Sequence, residues 1–244
     1  MKYALLVNIN EYDESFWGSG SNLTDTDIDA DGMMDLLPFD FKVSRLFDSL
    51  ATKSAVSQSI IDLANKAVKG DFVLIYYSGH GMEIPTSSVN EIGIYDQALC
   101  LHDAPLVDNE VYNLLCRFKS GVKVLLVFDS CFSGSMYKAI GSVGYKQKSL
   151  FGKKIDSIIK SINIPKRSGV LSCDLKCMFS STDKQVSYST GKGGLFTTHL
   201  IKSFGKFAYV KWFDKAITGM PKLQNPIYIN LSKNRMYNVE IAFS

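Results

Sequence analysis

Two apolar runs, each halted by a glycine-rich turn carrying a reactive side chain, limit what this 244-residue chain can fold into. The first is Val122-Lys-Val-Leu-Leu-Val-Phe128, five Val or Leu and a Phe in seven residues, followed by Asp129-Ser-Cys131-Phe-Ser-Gly134. So continuous a run reads as a strand buried on both faces, the kind that occupies the middle of a parallel sheet. The second, Phe72-Val-Leu-Ile-Tyr-Tyr77, has the same design and ends in Ser78-Gly79-His80-Gly81. In open α/β sheets the chemistry sits just beyond the carboxyl ends of the strands. Two such strands, laid parallel, deliver His80 and Cys131 to one edge.

A thiol beside an imidazole is a route to a thiolate at neutral pH, because the protonated ring lowers the thiol pKa and later protonates a leaving amine. Glycines on both sides of His80, and Gly134 three residues past Cys131, let the backbone turn sharply, so that N–H groups near Gly81 and Cys131 can hold an oxyanion. Strand alternation, as far as it persists, sends Asp129 to the side of Cys131 and Ser78 to the side of His80. A carboxylate so placed disfavours a thiolate, so its natural partner is a cationic substrate group. Its other reading is a tie that pins the turn.

Along the chain, helical and strand periods alternate as β-α-β units do. Residues 1–9 read as a buried strand, too short an apolar run for a signal segment. Glu11 to Gly32, rich in Asp, Ser, Gly and Asn, reads as a loop passing the catalytic edge. Asp25, Asp27, Asp29 and Asp31 alternate there without the terminal Glu of an EF-hand, which argues against a calcium loop. Phe41 to Phe47 alternates as a strand. Thr52 caps a helix whose stripe is Val56, Ile60, Leu63 and Ala67. Gln97 to Leu101 is a short strand, and Asp108 caps a helix with Val111, Leu114, Leu115 and Phe118 on one face. Lys176 to Ser180 reads as a strand, and two helices follow, carrying Phe196, Leu200 and Phe204, then Tyr209, Trp212, Phe213 and Ala216.

Five cysteines leave one unpaired under any disulfide scheme, which suits a reducing compartment. Cys173 and Cys177 lack a second ligand pair for zinc, and with Cys100 and Cys116 they read as small buried hydrophobes. No run approaches the roughly 18 apolar residues of a membrane span. The expectation is a cytoplasmic protein of one domain, residues 1–244, with no membrane contact.

The residues also match a family pattern. Tyr77-Ser-Gly-His80-Gly and Asp129-Ser-Cys131-Phe-Ser-Gly134 resemble the two catalytic motifs of caspase-like cysteine peptidases, in the metacaspase and orthocaspase branch. They stand 51 residues apart, close to the caspase spacing of about 50. Asp-Ser-Cys replaces the Gln-Ala-Cys of caspases proper. Tyr3 to Asn10, Leu23 to Ala30, Asp96-Gln-Ala-Leu with Asp103, Asp108-Asn-Glu110, Phe179-Ser-Ser with Gln185, and Gly194-Leu-Phe-Thr-Thr198 resemble further family segments in the family's order. Thr26 stands where the family often has Cys, and Phe132 where it often has His.

The resemblance implies a caspase-like α/β fold, with a mostly parallel sheet and helices on both faces. It implies a His80–Cys131 dyad, and an S1 pocket of Asp29, Ser78 and Asp129 for a Lys or Arg side chain. Many metacaspases bind calcium in an acidic cluster at a sheet edge. Here Asn109 replaces one acid and Lys138 lies near another, so no cofactor is expected and a calcium requirement is doubted.

Residues 135–172 carry eight basic residues against Asp156, a net of +7 in a chain of +3 overall. The basicity is local, which weakens a nucleic-acid-binding reading. Inserted directly after Cys131, this segment is a candidate for self-cleavage at Lys146, Lys148, Lys153, Lys154, Lys166 or Arg167. Its other readings are a solvated basic loop with a short amphipathic helix at Ile155, Ile158, Ile159 and Ile162, or a partner-docking or anionic-ligand surface that controls activation. The function expected is a cysteine endopeptidase acting on proteins or peptides with exposed Lys or Arg, regulated, by resemblance, as in immune or cell-death systems. The alternatives are a caspase-fold signalling module that does not cut, and a Cys-His acyl hydrolase without a basic requirement.

Overall fold

The computed structural model describes residues 1–85, 95–130, 162, 164–181, 191–222 and 224–244. Its centre is a six-stranded sheet of β1 (Lys2–Asn8), β2 (Phe41–Phe47), β3 (Phe72–Ser78), β7 (Lys123–Asp129), β8 (Asp174–Phe179) and β9 (Ile227–Asn230), in the order β2-β1-β3-β7-β8-β9. All neighbours run parallel except β8 and β9. A small antiparallel sheet of β4 (Gly81–Pro85), β5 (Tyr95–Cys100) and β6 (Pro105–Val107) follows β3 directly.

The unbroken apolar runs are buried on both faces because each face of the sheet is a separate core. Leu5, Val7, Val73, Ile75, Val124 and Leu126 point into one, with α3 (Lys53–Lys66) and α4 (Asp108–Leu115). Ala4, Leu6, Leu74, Tyr76, Leu125 and Val127 point into the other, with α2 (Thr26–Asp35), α5 (Leu195–Ser203) and α6 (Tyr209–Thr218). Burying one such Leu or Ile side chain contributes about 1.5–3 kcal/mol, so this double core can carry unfavourable polar groups at its ends. One is Lys176, fully buried on β8 beside Tyr209 and Tyr237, its Nζ donating to the Tyr237 carbonyl at 2.5 Å. Burial pulls its ammonium pKa down to about 8.

The stretch from Glu11 to Gly32 is not the continuous loop its composition implies. It contains α1 (Glu14–Trp17) and the start of α2. The alternating acids mislead because the pair that matters is Asp25 and Asp29, one helical turn apart, while Ala30 and Met33 turn to the core. Asn10, just past β1, accepts the Thr26 N–H at 3.0 Å and the Thr26 hydroxyl at 2.8 Å, so the helix start is tied to the sheet. At α4, Asp108 is the first helical residue and not the cap. There the Glu110 carboxylate reaches back to accept the Val107 N–H at 2.9 Å. Thr52 does cap α3, accepting the Ala55 N–H at 3.1 Å.

β1, β3 and β7 end level with one another, Asn8 paired with Ser78 and Ser78 with Asp129. The chain crosses to opposite sides of β1 on leaving it for β2 and on returning to β3. The crevice expected at such a reversal lies beyond these three strand ends. Among the described residues no helix is long and apolar enough to cross a membrane.

Candidate active site

His80 stands on the turn between β3 and β4, two residues beyond the last strand residue, Ser78. Its backbone is fixed from both sides. The N–H donates to the Tyr12 hydroxyl at 2.7 Å, and the carbonyl accepts from the Cys100 N–H at 2.9 Å and from the Tyr77 hydroxyl at 2.7 Å. Gly79 is required by this arrangement, since a Cβ there would lie 2.5 Å from the Tyr77 hydroxyl oxygen and 2.8 Å from that of Tyr12.

The imidazole is half-buried, tilted against the Tyr12 ring at 5.2 Å between centroids, with Nε2 2.9 Å from the Ser21 carbonyl. A carbonyl oxygen only accepts, so Nε2 carries the hydrogen and Nδ1 is the basic nitrogen of the neutral ring. Burial holds the pKa below its ordinary 6.5, against the opposing pull of the Ser21 bond. The ring is thus an oriented neutral base at pH 7.

Beside it the structure brings together Asp29, Ser78 and Asp129. Asp29 reaches the sheet from α2, where its Oδ2 accepts the Ser78 hydroxyl at 2.8 Å and its Oδ1 the Gly194 N–H at 2.8 Å. Asp129 Oδ2 accepts the Thr197 N–H at 2.9 Å and the Thr197 hydroxyl at 2.8 Å. Asp129 therefore holds the N-terminus of α5, not the turn that follows it in the chain. Both carboxylates press on one glycine: a Cβ on Gly194 would lie 2.3 Å from Asp129 Oδ2 and 3.1 Å from Asp29 Oδ2. Asp25, on the same helical face as Asp29, accepts the Gly193 N–H at 3.1 Å. Burial first, and the neighbouring Asp129 charge second, push the Asp29 carboxyl up to about 8. Near neutral pH Asp29 therefore holds a proton. A cation that displaces this proton gains two buried carboxylate partners.

Gly81 is buried at the start of β4, paired with Leu99. Cys131, Lys138, Lys146, Lys148, Lys153, Lys154 and Gln185 lie outside the described residues. The chain reaches Cys131 through Ser130, whose N–H donates to the Ser180 hydroxyl at 3.1 Å and whose carbonyl accepts from that hydroxyl at 2.9 Å. Tyr12, Ser21 and Gly193 are site residues that the sequence does not single out, and Asp25 and Thr197 stand out in it without a site role. Cys100, Cys173 and Cys177 are buried thiols, as expected from their packing role. Burial pushes the Cys173 thiol up to about 12 and the Cys177 thiol higher still.

Asp96 and Asp108 form an acidic corner beside the start of α4. Asp108 is raised to about 7 by burial and by the nearby Asp96, and Asp96 is raised by burial. The positive charge of Arg167 offsets both, and its Nε donates to the side-chain amide oxygen of Asn109 at 2.7 Å. Calcium takes six to eight oxygen ligands. Among the described residues no group of three or more His, Cys, Asp or Glu side chains could hold a metal ion.

The chain is similar to several proteins in sequence and in fold. Metacaspase-1 of Plasmodium falciparum is 27% identical over 210 residues, 79% of this chain and 32% of that protein. Metacaspase-6 of Arabidopsis thaliana is 24% identical over 191 residues, 75% of this chain and 49% of that protein. The chain thus spans between about a third and a half of these curated relatives. A Geobacter sulfurreducens protein known by crystal structure superposes with a TM-score of 0.83 at 26% identity, covering 100% of this chain and 98% of that one. Caspase-1 of Spodoptera frugiperda shares the fold at a TM-score of 0.57 and 16% identity, over 96% of this chain and 87% of that one. The peptidase C14 caspase-domain model matches residues 1–225, and with the histidine turn and the acid-bearing strand ends in the places just described, the chain belongs to the caspase-domain family.

Proposed function

We propose that the protein is a cysteine endopeptidase that cleaves peptide bonds after Lys or Arg, using Cys131 and His80, without a calcium requirement. The observation that carries this reading is the buried Asp29–Asp129 pair, with Ser78 bonded to it, at the same strand ends as the oriented His80.

In the proposed reaction the substrate's cation enters over Asp29 and Asp129 and displaces the Asp29 proton to solvent. That contact sets the following carbonyl at the turn of His80. His80 Nδ1 takes the Cys131 thiol proton, and the thiolate sulfur bonds to the carbonyl carbon while the N–H groups of Gly81 and Cys131 hold the oxyanion. The C–N bond then breaks, the imidazolium giving its proton to the leaving amine. Water, deprotonated by the now neutral His80, cleaves the thioester and restores the thiol. Independence from calcium is supported by Arg167, which already supplies a cation to the Asp96–Asp108 corner.

The test is a mixed peptide library, with and without calcium, its new termini read by mass spectrometry. The expected result is cuts after Lys and Arg alone, unchanged by the ion. Cuts that ignore the preceding residue would support an acyl hydrolase without basic selection. No cuts under any condition would support a non-cleaving module.

A further inference from the structure

The last two basic residues of the 135–172 segment, Lys166 and Arg167, are held in a way that the proposed reaction does not use. Residues 166–169 lie along one face of α4 and its end, formed by Asn109, Tyr112, Asn113 and Cys116 at helical spacing. The Arg167 Nε donates to Asn109 Oδ1 at 2.7 Å, and its guanidinium carbon stands 5.5 Å from the centre of the Tyr112 ring. Its charge also acts on Asp96 and Asp108. Asn113 uses both ends of its amide: Nδ2 donates to the Lys166 carbonyl at 3.1 Å, and Oδ1 accepts the Ser168 N–H at 2.6 Å. Gly169, at φ +93°, lets the chain pass Cys116, whose Cβ would stand 3.2 Å from a Cβ placed there.

Those two Asn113 bonds fall on the two peptide groups that a protease selecting Lys or Arg would cut. The Lys166–Arg167 bond has its carbonyl engaged, and the Arg167–Ser168 bond has its N–H engaged. A protease needs the first in its oxyanion hole and the second as its leaving group, with the basic side chain in its S1 pocket. Here the guanidinium is already paired, stacked and charge-matched.

We propose that this face of α4 is an arginine-recognising clamp for the chain's own Lys166-Arg167-Ser168, which withholds both bonds from basic-specific proteolysis. Lys166 and Arg167 are thereby removed from the self-cleavage candidates. Where the protein processes itself, which rests on the function proposed above, the cuts fall upstream in the segment. The ligand class is an extended peptide with Arg at its centre and a free backbone carbonyl and N–H on either side of it.

Limited digestion with trypsin tests the clamp independently of the protein's own chemistry, in the Cys131→Ala chain. Cleavage after Arg167 is expected to be roughly ten-fold or more faster in Asn113→Ala, and clearly faster in Asn109→Ala, because digestion follows the population of the released segment. Cleavage after Arg45 on β2 should keep its rate and so report an intact fold. Equal rates at Arg167 with and without the Asn113 amide would overturn the clamp, as would an acceleration shared by Arg45.

Discussion

Replacing Cys131 with Ala is expected to abolish cleavage of a basic peptide, and replacing His80 with Ala to lower kcat/KM by about 10²–10⁴-fold, the usual contribution of a positioned acid–base group. The two act as one unit, so the double variant should be no worse than Cys131→Ala alone. His80 is half-buried, and its backbone anchors to Tyr12, Tyr77 and Cys100 do not need the imidazole. The His80→Ala melting temperature should therefore stay near that of the parent, separating lost chemistry from lost fold. The pH profile follows from the buried ring. With the pKa held below 6.5, the His80 limb of the kcat/KM profile lies on the acid side of neutrality, where His80 becomes protonated before it can accept the thiol proton. Activity in His80→Ala equal to that of the parent would remove His80 from the reaction.

The second large effect lies in the acid pair. Asp29→Asn keeps the shape of the side chain and removes its charge, so cleavage after Lys or Arg should drop by about 10²–10³-fold, chiefly through KM; losing one partner of a buried charge pair costs roughly 3–5 kcal/mol. Stability should move the other way. An Asp whose folded pKa is raised from 3.8 to about 8 binds a proton in the folded state over that interval that the unfolded chain has released. The stability of the parent should therefore fall as pH rises from about 4 to 8. The amide of Asp29→Asn has no such titration, so the variant should melt higher than the parent at pH 8 and match it more closely at pH 5. Substrate binding shares the linkage. A cationic residue must displace the Asp29 proton, so KM for a basic peptide should fall as pH rises toward 8 and then level. A variant that melts lower than the parent at pH 8 while keeping its KM would contradict both assignments.

Much of this architecture was legible in the residues. The runs Phe72–Tyr77 and Val122–Phe128 have few polar interruptions, and a strand without alternation must have a core on each side, as both do. The helix stripes at Val56 and Ile60, and at Val111 and Leu114, were equally plain because 3.6-residue spacing admits few other readings. What failed was Thr26–Asp35, where alternating acids masked a helix with a low apolar content. Its acids sit in the first turn, where the helix dipole favours them, and its anchor is the distant Asn10. β9 and the short strand β6 were also passed over, since three or four residues carry too little pattern to stand out. At the site, Asp29, Ser78 and Asp129 were legible by family position and are adjacent in space. The partner of His80 was not, because it is the backbone carbonyl of Ser21, a group every residue has. The clamp on Arg167 was hidden for a related reason. Asn109 and Asn113 look like solvent-facing helix residues until another segment of chain is laid across them.

The central claim is that a buried pair of carboxylates reads positive charge on the substrate. It is tested most directly by kcat/KM for two peptides that differ only at the residue before the cut, one with Arg and one with citrulline, its neutral isostere. The account predicts that the Arg peptide is cut at least about 10²-fold faster by the parent, since charge-assisted bonds are roughly twice as strong as neutral ones and the guanidinium faces two buried acids. It also predicts that the preference collapses in Asp29→Asn. Equal turnover of the two peptides by the parent would contradict the account.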